Sequence, residues 1–281
     1  MASDRHRPVD ALRIPGLRGL ATSGFFGGLG ETAFDATVAW QVFQVTGSPF
    51  ALAFLGIVRF VPSFFLSLVA GAVADSYDRR KLLLASKVVH LLSAVGLLAA
   101  SLGDSPVAVL YALVLLNTLG SVFHHPTYNA LLPLVVPERL LSEAVTIDTS
   151  AGSVAWVTGP LAAGALIGSV GISETYAVTS AMFVLSIIAL VPVRTVREQG
   201  ERSGVSVRAV REGLQFVFHR QVLFGAMTLD LLAVVFGGAS ALLPIYADEI
   251  LQVGPTGYGV LAASIHIGGV LTGIALLFTP P

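Results

Sequence analysis

The chain has 281 residues, 54% of them hydrophobic and 12% charged, with a net charge of -1 and a mean hydropathy of +0.82. Soluble domains carry roughly 25% charged residues, so this composition excludes an ordinary cytosolic enzyme. The absence of cysteine excludes disulfides, zinc-thiolate sites and cysteine nucleophiles, and the only lysines, Lys81 and Lys87, lie outside any glycine-rich phosphate loop, which excludes a Walker-type ATP site.

A bilayer-spanning helix needs about 20 apolar residues, and the chain offers eight such stretches. The first, 19–45, ends at the turn Thr46, Gly47, Ser48, Pro49. The second, 50–74, is stopped by Asp75, Asp78, Arg79, Arg80 and Lys81. The third and fourth, 82–101 and 106–130, are separated by a short turn at Gly103 and Asp104. The fifth, 141–170, leads through Gly171 to a sixth ending near Val193. A charged segment, 194–220, precedes the seventh, to 247, and the eighth, 257–278. The first stretch reads as a retained helix and not a signal peptide, because it is long and holds Glu31 and Asp35. Four regions result: an N-terminal segment (1–18), a six-helix bundle (19–193), a linker (194–220) and two helices of a second, incomplete bundle (221–281). Within the linker, Val207, Val210, Leu214 and Val217 recur at helical spacing opposite Arg208, Arg211 and Glu212, as in an amphipathic helix on a membrane surface.

Charge placement orients these spans. If the helices alternate, Arg5, Arg7, Arg13, Arg18, Arg79, Arg80, Lys81, Lys87, Arg139, Arg194, Arg197, Arg202, Arg208, Arg211 and Arg220 all fall on one side, leaving only Arg59 apart. The positive-inside bias makes that side the cytoplasm, with both termini there. The expected location is therefore the plasma or inner membrane, with the lipid bilayer as the main partner and no nucleic acid.

Ionisable groups inside spans are costly and mark function by default. Glu31 and Asp35 stand one turn apart on one face of the first span. Arg59 reaches a depth matching Asp35 from the second span, so an Arg59–Asp35 pair is expected, with Glu31 left to exchange a proton or meet a cationic substrate. Asp148 lies two turns into the fifth span, where it reads as a partner for Arg79 or as a solvated helix-start carboxylate. Asp230 and His266 fall at comparable depth in spans seven and eight, as a cavity-lining pair or an interhelical bond. His90 reads as a packed hydrogen-bonding residue, and His124 and His125 as interfacial. No histidines have metal-ligand spacing, so no metal site is expected. Trp40, Phe43, Tyr176 and Tyr246 read as interface anchors near the outer ends. The pairs Gly24–Gly28, Gly164–Gly168 and Gly269–Gly273 have the small-xxx-small spacing of close helix packing.

At the end of the second span the sequence runs Gly71, Ala72, Val73, Ala74, Asp75, Ser76, Tyr77, Asp78, Arg79, Arg80, Lys81. This resembles the loop between spans two and three of the major facilitator superfamily. Ser76 replaces the usual basic residue and Asp78 the usual glycine; the Asp-Arg-Arg ending is similar to the branch of siderophore (enterobactin) exporters and macrolide efflux proteins. Gly159, Pro160 and Gly164 in the fifth span resemble the antiporter motif of drug-exporting members. The resemblance implies an all-α polytopic membrane protein that is a transporter and not an enzyme. It implies a proton-coupled exporter of a small hydrophobic or cationic compound working by alternating access, with no cofactor and H+ as coupling ion. It assigns Gly71, Asp75, Asp78, Arg79 and Arg80 to a cytoplasmic gate in which Asp75 bridges to the second bundle. A twelve-helix member has four further spans, so the chain is expected to be C-terminally truncated and to lack the half needed for full activity; a transport-incompetent fragment or a membrane scaffold are the rival readings.

Overall fold

The computed structural model describes residues 13–195, 220–222, 225, 228–229 and 238–278, without the side chains at 68, 72, 75, 238–239 and 273–278. Among them there is no strand. The long helices are α1 (Pro15–Thr46), α2 (Pro49–Ser76), α3 (Arg79–Ser101), α4 (Val107–Val135), α5 (Leu141–Ser169), α6 (Ile172–Leu190) and α7 (Gly254–Phe278). They occupy the positions expected of spans one to six and eight. The seventh expected span and the linker, with its amphipathic helix, lie for the most part outside the described residues.

Local chemistry sets the breaks between helices. Gly47 adopts a left-handed conformation at φ 57° and donates its N–H to the Phe43 carbonyl at 2.7 Å, closing α1, and Pro49 then opens α2. Asp78 caps α3 by accepting the Lys81 N–H at 3.1 Å. Helix α4 was expected to stop at residue 130 but runs on to Val135 through two prolines, Pro126 and Pro133; it ends only at Val136 and Pro137. Prolines persist inside membrane helices because neighbouring helices satisfy the freed backbone groups.

Among the described residues five helical stretches are long and apolar enough to cross a membrane: Pro49–Ser67, Arg79–Ser101, Val107–Val135, Glu138–Ser169 and Ile172–Leu190. Helix α1 is more polar, and it is the helix that the others surround. It packs chiefly against α5 and α6, while α3 lies on α4 and α6, α2 on α4, and α7 on α5. Large apolar side chains point outward, as on α2, where Phe50, Phe54, Ile57, Phe64 and Phe65 are exposed. Such a surface is what a hydrocarbon solvent accepts and water does not.

Three apolar clusters fill the interior. One centres on Phe34, Val38, Leu52, Leu97, Tyr176 and Phe183; a second on Leu17, Leu20, Leu83, Leu131, Val135 and Leu190 at the basic end; a third joins Trp40, Ala163 and Ile167 to Tyr258 of α7. Trp40, Phe43 and Tyr176 are therefore core residues and not interface anchors. Trp40 stacks on Tyr258 at 5.4 Å, and Tyr176 donates to Gln41 Oε1 at 2.8 Å. Burial wins here because both rings sit where α1 meets a neighbour.

Glycines at two crossings bring backbones together. A Cβ at Gly159 would stand 1.9 Å from Thr32 Oγ1 and 3.0 Å from the Leu29 carbonyl of α1. A Cβ at Gly164 would stand 2.6 Å from the Pro255 carbonyl and 2.7 Å from Gly259 Cα of α7, and Gly168 meets Thr256. The Gly24 and Gly28 positions likewise face Tyr128 and Trp156, whereas Gly269 has nothing within 4 Å, so the packing expected there is not made among the described residues. We expect Gly164→Ala to lower the apparent melting temperature of the detergent-solubilised chain, since overpacking against backbone costs about 1–3 kcal/mol. Gly152→Ala, in the same helix but with open space around it, leaves the melting temperature unchanged.

Candidate functional site

Helix α1 presents a polar or small residue at each turn, Ser23, Gly27, Glu31 and Asp35, and a different set of helices answers each level. Three levels follow from the basic end inward.

At the first, Lys87 of α3 is 1% exposed and points into the bundle. Its Nζ donates to Ser186 Oγ of α6 at 2.6 Å and to the Ser23 carbonyl at 3.3 Å, and Ser186 and Ser23 bond one another's backbones across the same gap. A Cβ at Gly27 would stand 2.9 Å from this ammonium, so the glycine makes room for it. Lys87, grouped by sequence with the loop charges of the basic side, is thus a buried residue of α3. It lies two turns beyond the loop, where the lysine stem is long enough to find two oxygen atoms, one on each of two helices.

At the second, Glu31 Oε1 accepts from Ser121 of α4 at 2.8 Å and lies 3.9 Å from His125 Nε2. Ser121 Oγ also contacts His90 Nε2 at 3.3 Å. The His90 ring is 5.6 Å from that of His124, which stacks on Tyr128 at 5.8 Å. Glu31, expected to stay outside the Arg59 pair, bonds across the interface between α1 and α4. His124 is turned into the bundle, with Nδ1 buried, while His125 is exposed.

At the third, Arg59 Nη2 meets Asp35 Oδ1 at 2.8 Å, so the depth match between spans one and two does bring these two together. The pair opens onto a cavity of about 310 Å³ between α1, α2, α5, α7 and residues 240–243, which Thr32, Pro160, Tyr258 and His266 also line. Of the expected Asp230–His266 pair, Asp230 lies outside the described residues. His266 is beside Trp156, at 5.9 Å between rings.

The loop and helix-five motifs are placed as follows. Gly71 lies in α2 with nothing within 4 Å of an added Cβ, and the side chain of Asp75 is outside the described set. Asp78 is the cap of α3. Arg79 donates to the Ala130 carbonyl of α4 at 3.2 Å and to the Ala74 carbonyl at 3.4 Å, and Arg80 donates to the Val191 carbonyl at the end of α6. Asp148 accepts from Tyr128, which also donates towards the Leu20 carbonyl at 3.3 Å. Gly159 and Gly164 are the two crossing glycines, and Pro160 between them contributes its carbonyl to the contact with Gly259. No group of three potential metal ligands occurs among the described residues.

Sequence reasoning counted Lys87 with the charges of the basic side, read His124 as interfacial, and passed over Ser121 and Tyr128. A signal for the last three was present: Asn117, Ser121, His124 and Tyr128 follow at intervals of three and four and so form one polar stripe on an otherwise apolar helix.

A helical bundle whose charges are held inside apolar helices, next to a cavity between its first six helices and a seventh packed on them, is the architecture of a membrane transporter. Over residues 7–278 the chain matches the transmembrane secretion effector family, and it belongs to that family of major facilitator transporters. It is 25% identical over 249 residues to macrolide efflux protein A of Streptococcus pyogenes, covering 84% of this chain and 61% of that protein. To the multidrug efflux pump Tap of Mycobacterium tuberculosis it is 28% identical over 253 residues, 83% of this chain and 58% of the pump. The chain therefore spans about three fifths of the length of these relatives. The fold is similar to that of a bacterial homologue of the human lysosomal transporter Spinster, solved inward-facing and unoccupied, with a TM-score of 0.66 at 15% identity over 98% of this chain and 64% of that one. The protein is thus a multi-pass membrane protein of a transporter family.

Because Asp35 and Arg59 are half-open to the cavity, their pairing is screened, and its worth is about 1 kcal/mol and not the several of a sealed pair. Asp35→Asn and Arg59→Gln are each expected to lower yield and monodispersity in size-exclusion chromatography, and the exchange Asp35→Arg with Arg59→Asp to recover part of the loss. A double variant as poor as the worse single one argues against the pair.

Proposed function

We propose that the protein is a proton-coupled exporter of a small hydrophobic or cationic compound and works by alternating access. It would lie in the cell membrane with the basic end and both termini cytoplasmic. The observation that carries this reading is the placement of Glu31 and Asp35 one turn apart in the most enclosed helix, with only Asp35 neutralised by a guanidinium. A carboxylate kept in a membrane interior without an arginine or lysine hydrogen-bonded to it is retained for proton or cation exchange more readily than for packing. The names of the efflux relatives support export, and the charge asymmetry of the loops supports the orientation.

The cavity suits this role. At about 310 Å³ it lies near the lower end of the roughly 300–1,000 Å³ range of small-molecule sites, and its walls are apolar apart from Thr32, Asp35, Arg59, Tyr258, His266 and Ser240. It sits between the first six helices and α7, the interface at which two-bundle transporters place substrate and coupling ion. Gate function for Gly71, Asp75, Asp78, Arg79, Arg80 and Asp148, and a helix-loosening role for Gly159, Pro160 and Gly164, belong to the same proposal. In that scheme the remaining length seen in the relatives carries the second bundle against which the first one rocks.

The test is ethidium transport in proteoliposomes under an imposed pH gradient. Glu31→Gln is expected to reduce gradient-driven transport by about tenfold or more, the size of effect that a group acting in proton transfer has. Glu31→Asp retains part of the activity. Unchanged gradient dependence in Glu31→Gln would sink the assignment.

A further inference from the structure

Glu31 lies about halfway along α1, and any proton it exchanges has to travel to water. From Leu20, level with Tyr128, to Glu31 is eleven residues of α1, about 16 Å at 1.5 Å per residue. The space between is bridged by polar side chains on α3, α4 and α5, none of which the reading above assigns a role except Asp148. Ser121 Oγ touches both Glu31 Oε1 (2.8 Å) and His90 Nε2 (3.3 Å). His90 and His124 are neighbours at 5.6 Å between ring centroids, His124 and Tyr128 at 5.8 Å, and Tyr128 donates to Asp148. His124 Nδ1 is buried with no hydrogen-bond partner among the described residues. A buried ring nitrogen without a partner calls for an explanation, and in a row of exchangeable groups it is a place where a proton or a bridging water is bound.

We infer that Ser121, His90, His124, Tyr128 and Asp148 form a proton relay connecting Glu31 to the basic end of the bundle. The inference rests on the reading of Glu31 as the coupling group. Each hop moves one proton. Protonated Glu31 gives its proton to Ser121 Oγ as the Ser121 hydroxyl proton passes to His90 Nε2. His90 releases a proton from its other ring nitrogen towards His124; His124 passes one on towards Tyr128 as the Tyr128 hydroxyl proton goes to Asp148, which gives it to water. At the end Glu31 is a carboxylate, water holds the proton, and every intermediate group has its starting protonation. Lys87 faces this row from the side of α1 and α6. As an ammonium at the first level it stabilises the carboxylate left behind on Glu31 and opposes the accumulation of charge on the two histidines. His125 is the competing exit, since it lies 3.9 Å from Glu31 and is 62% exposed. Helix α4 therefore turns two adjacent histidines to different sides, one towards the row and one out of the bundle.

The relay is tested without transport, on the full chain in lipid nanodiscs. A stopped-flow jump from about pH 3.5 to about pH 7 removes protons from carboxylic acids and imidazolium groups, and an indicator dye reports their release. Glu31→Gln is expected to remove a slow phase of release. His124→Phe and Tyr128→Phe keep that phase but slow it by about tenfold or more, as expected for loss of a positioned proton-transfer group. His125→Asn keeps the wild-type rate. His124→Gln, which keeps a polar side chain, guards against misfolding of the phenylalanine variant, and all variants are compared at matched thermal stability. If Glu31→Gln removes the slow phase while His124→Phe and Tyr128→Phe both release at the wild-type rate, the relay is overturned; slowing confined to His125→Asn also overturns it and assigns the exit to the exposed histidine. If the slow phase survives in Glu31→Gln, it is the coupling role of Glu31 that fails.

Discussion

A buried polar group in a membrane bundle has to find its partner on another helix, because neither lipid nor an apolar core supplies one. In this protein that constraint is concentrated on α1. Its polar face rises through Ser23, Glu31 and Asp35, and the partners come from α3 and α6 at the first, from α4 at the second and from α2 at the third. Each contact fixes the rotation of α1 as well as a neighbour. A one-residue slip would turn a charge towards Phe34 and Phe183, with nothing to meet it. This accounts for the placement of the least apolar long helix at the centre of the bundle, with the most apolar faces of the others left for lipid.

The same helix separates two environments. Asp35 and Arg59 border the cavity beside α7, where water or a ligand has access, and the guanidinium keeps that carboxylate from standing alone. Glu31, one turn away, faces α4 instead, and its direct donor is a serine hydroxyl. Two residues of the same type thus differ by their neighbours: one is locked into an ion pair at a ligand-accessible wall, the other is held by a neutral donor at the start of a row of histidines. Close backbone contact reinforces the division. Gly159 against Thr32 and Gly164 against Gly259 draw α5 to α1 on one side and to α7 on the other, so α5 is the element that joins the two.

Much of this was legible in the sequence because hydrocarbon imposes length and polarity rules that can be read one helix at a time. Apart from the end of α4, most helix boundaries, the Gly47 turn, the glycine crossing at Gly164 and the Asp35–Arg59 depth match follow from spacing along single segments. Lys87 was misplaced because a loop charge and a buried charge look alike when only distance from the loop is counted; its partners, Ser23 and Ser186, are 64 and 99 residues away in the chain. Trp40 and Tyr176 looked like interface anchors for the same reason, since depth along a helix says nothing about which way a ring faces. The histidines of α4 were read as interfacial because they approach the end expected for span four, yet the helix continues for two and a half more turns and carries His124, though not His125, inside.

The arginines after Asp78 bear on how such a bundle moves. Arg79 and Arg80 are directed at backbone carbonyls of α2, α4 and α6, at or near the ends of those helices. Carbonyls in a last turn, here those of Ala74 and Val191, have no partner within the helix and carry the negative end of its dipole, so a guanidinium there satisfies an acceptor and a charge preference together; the Ala130 carbonyl lies more than a turn before the end of α4 and is a cross-helix tie. These bonds tie the second, third, fourth and sixth helices to one another at the basic end, all within the first bundle. A loop so attached does not swing independently. Alternating access built on this half requires the six helices to move as one body, with the break at the contacts of α5 and α1 with α7, where the interface is made of glycine backbones and a cavity, free of charge-to-carbonyl bonds among the described residues.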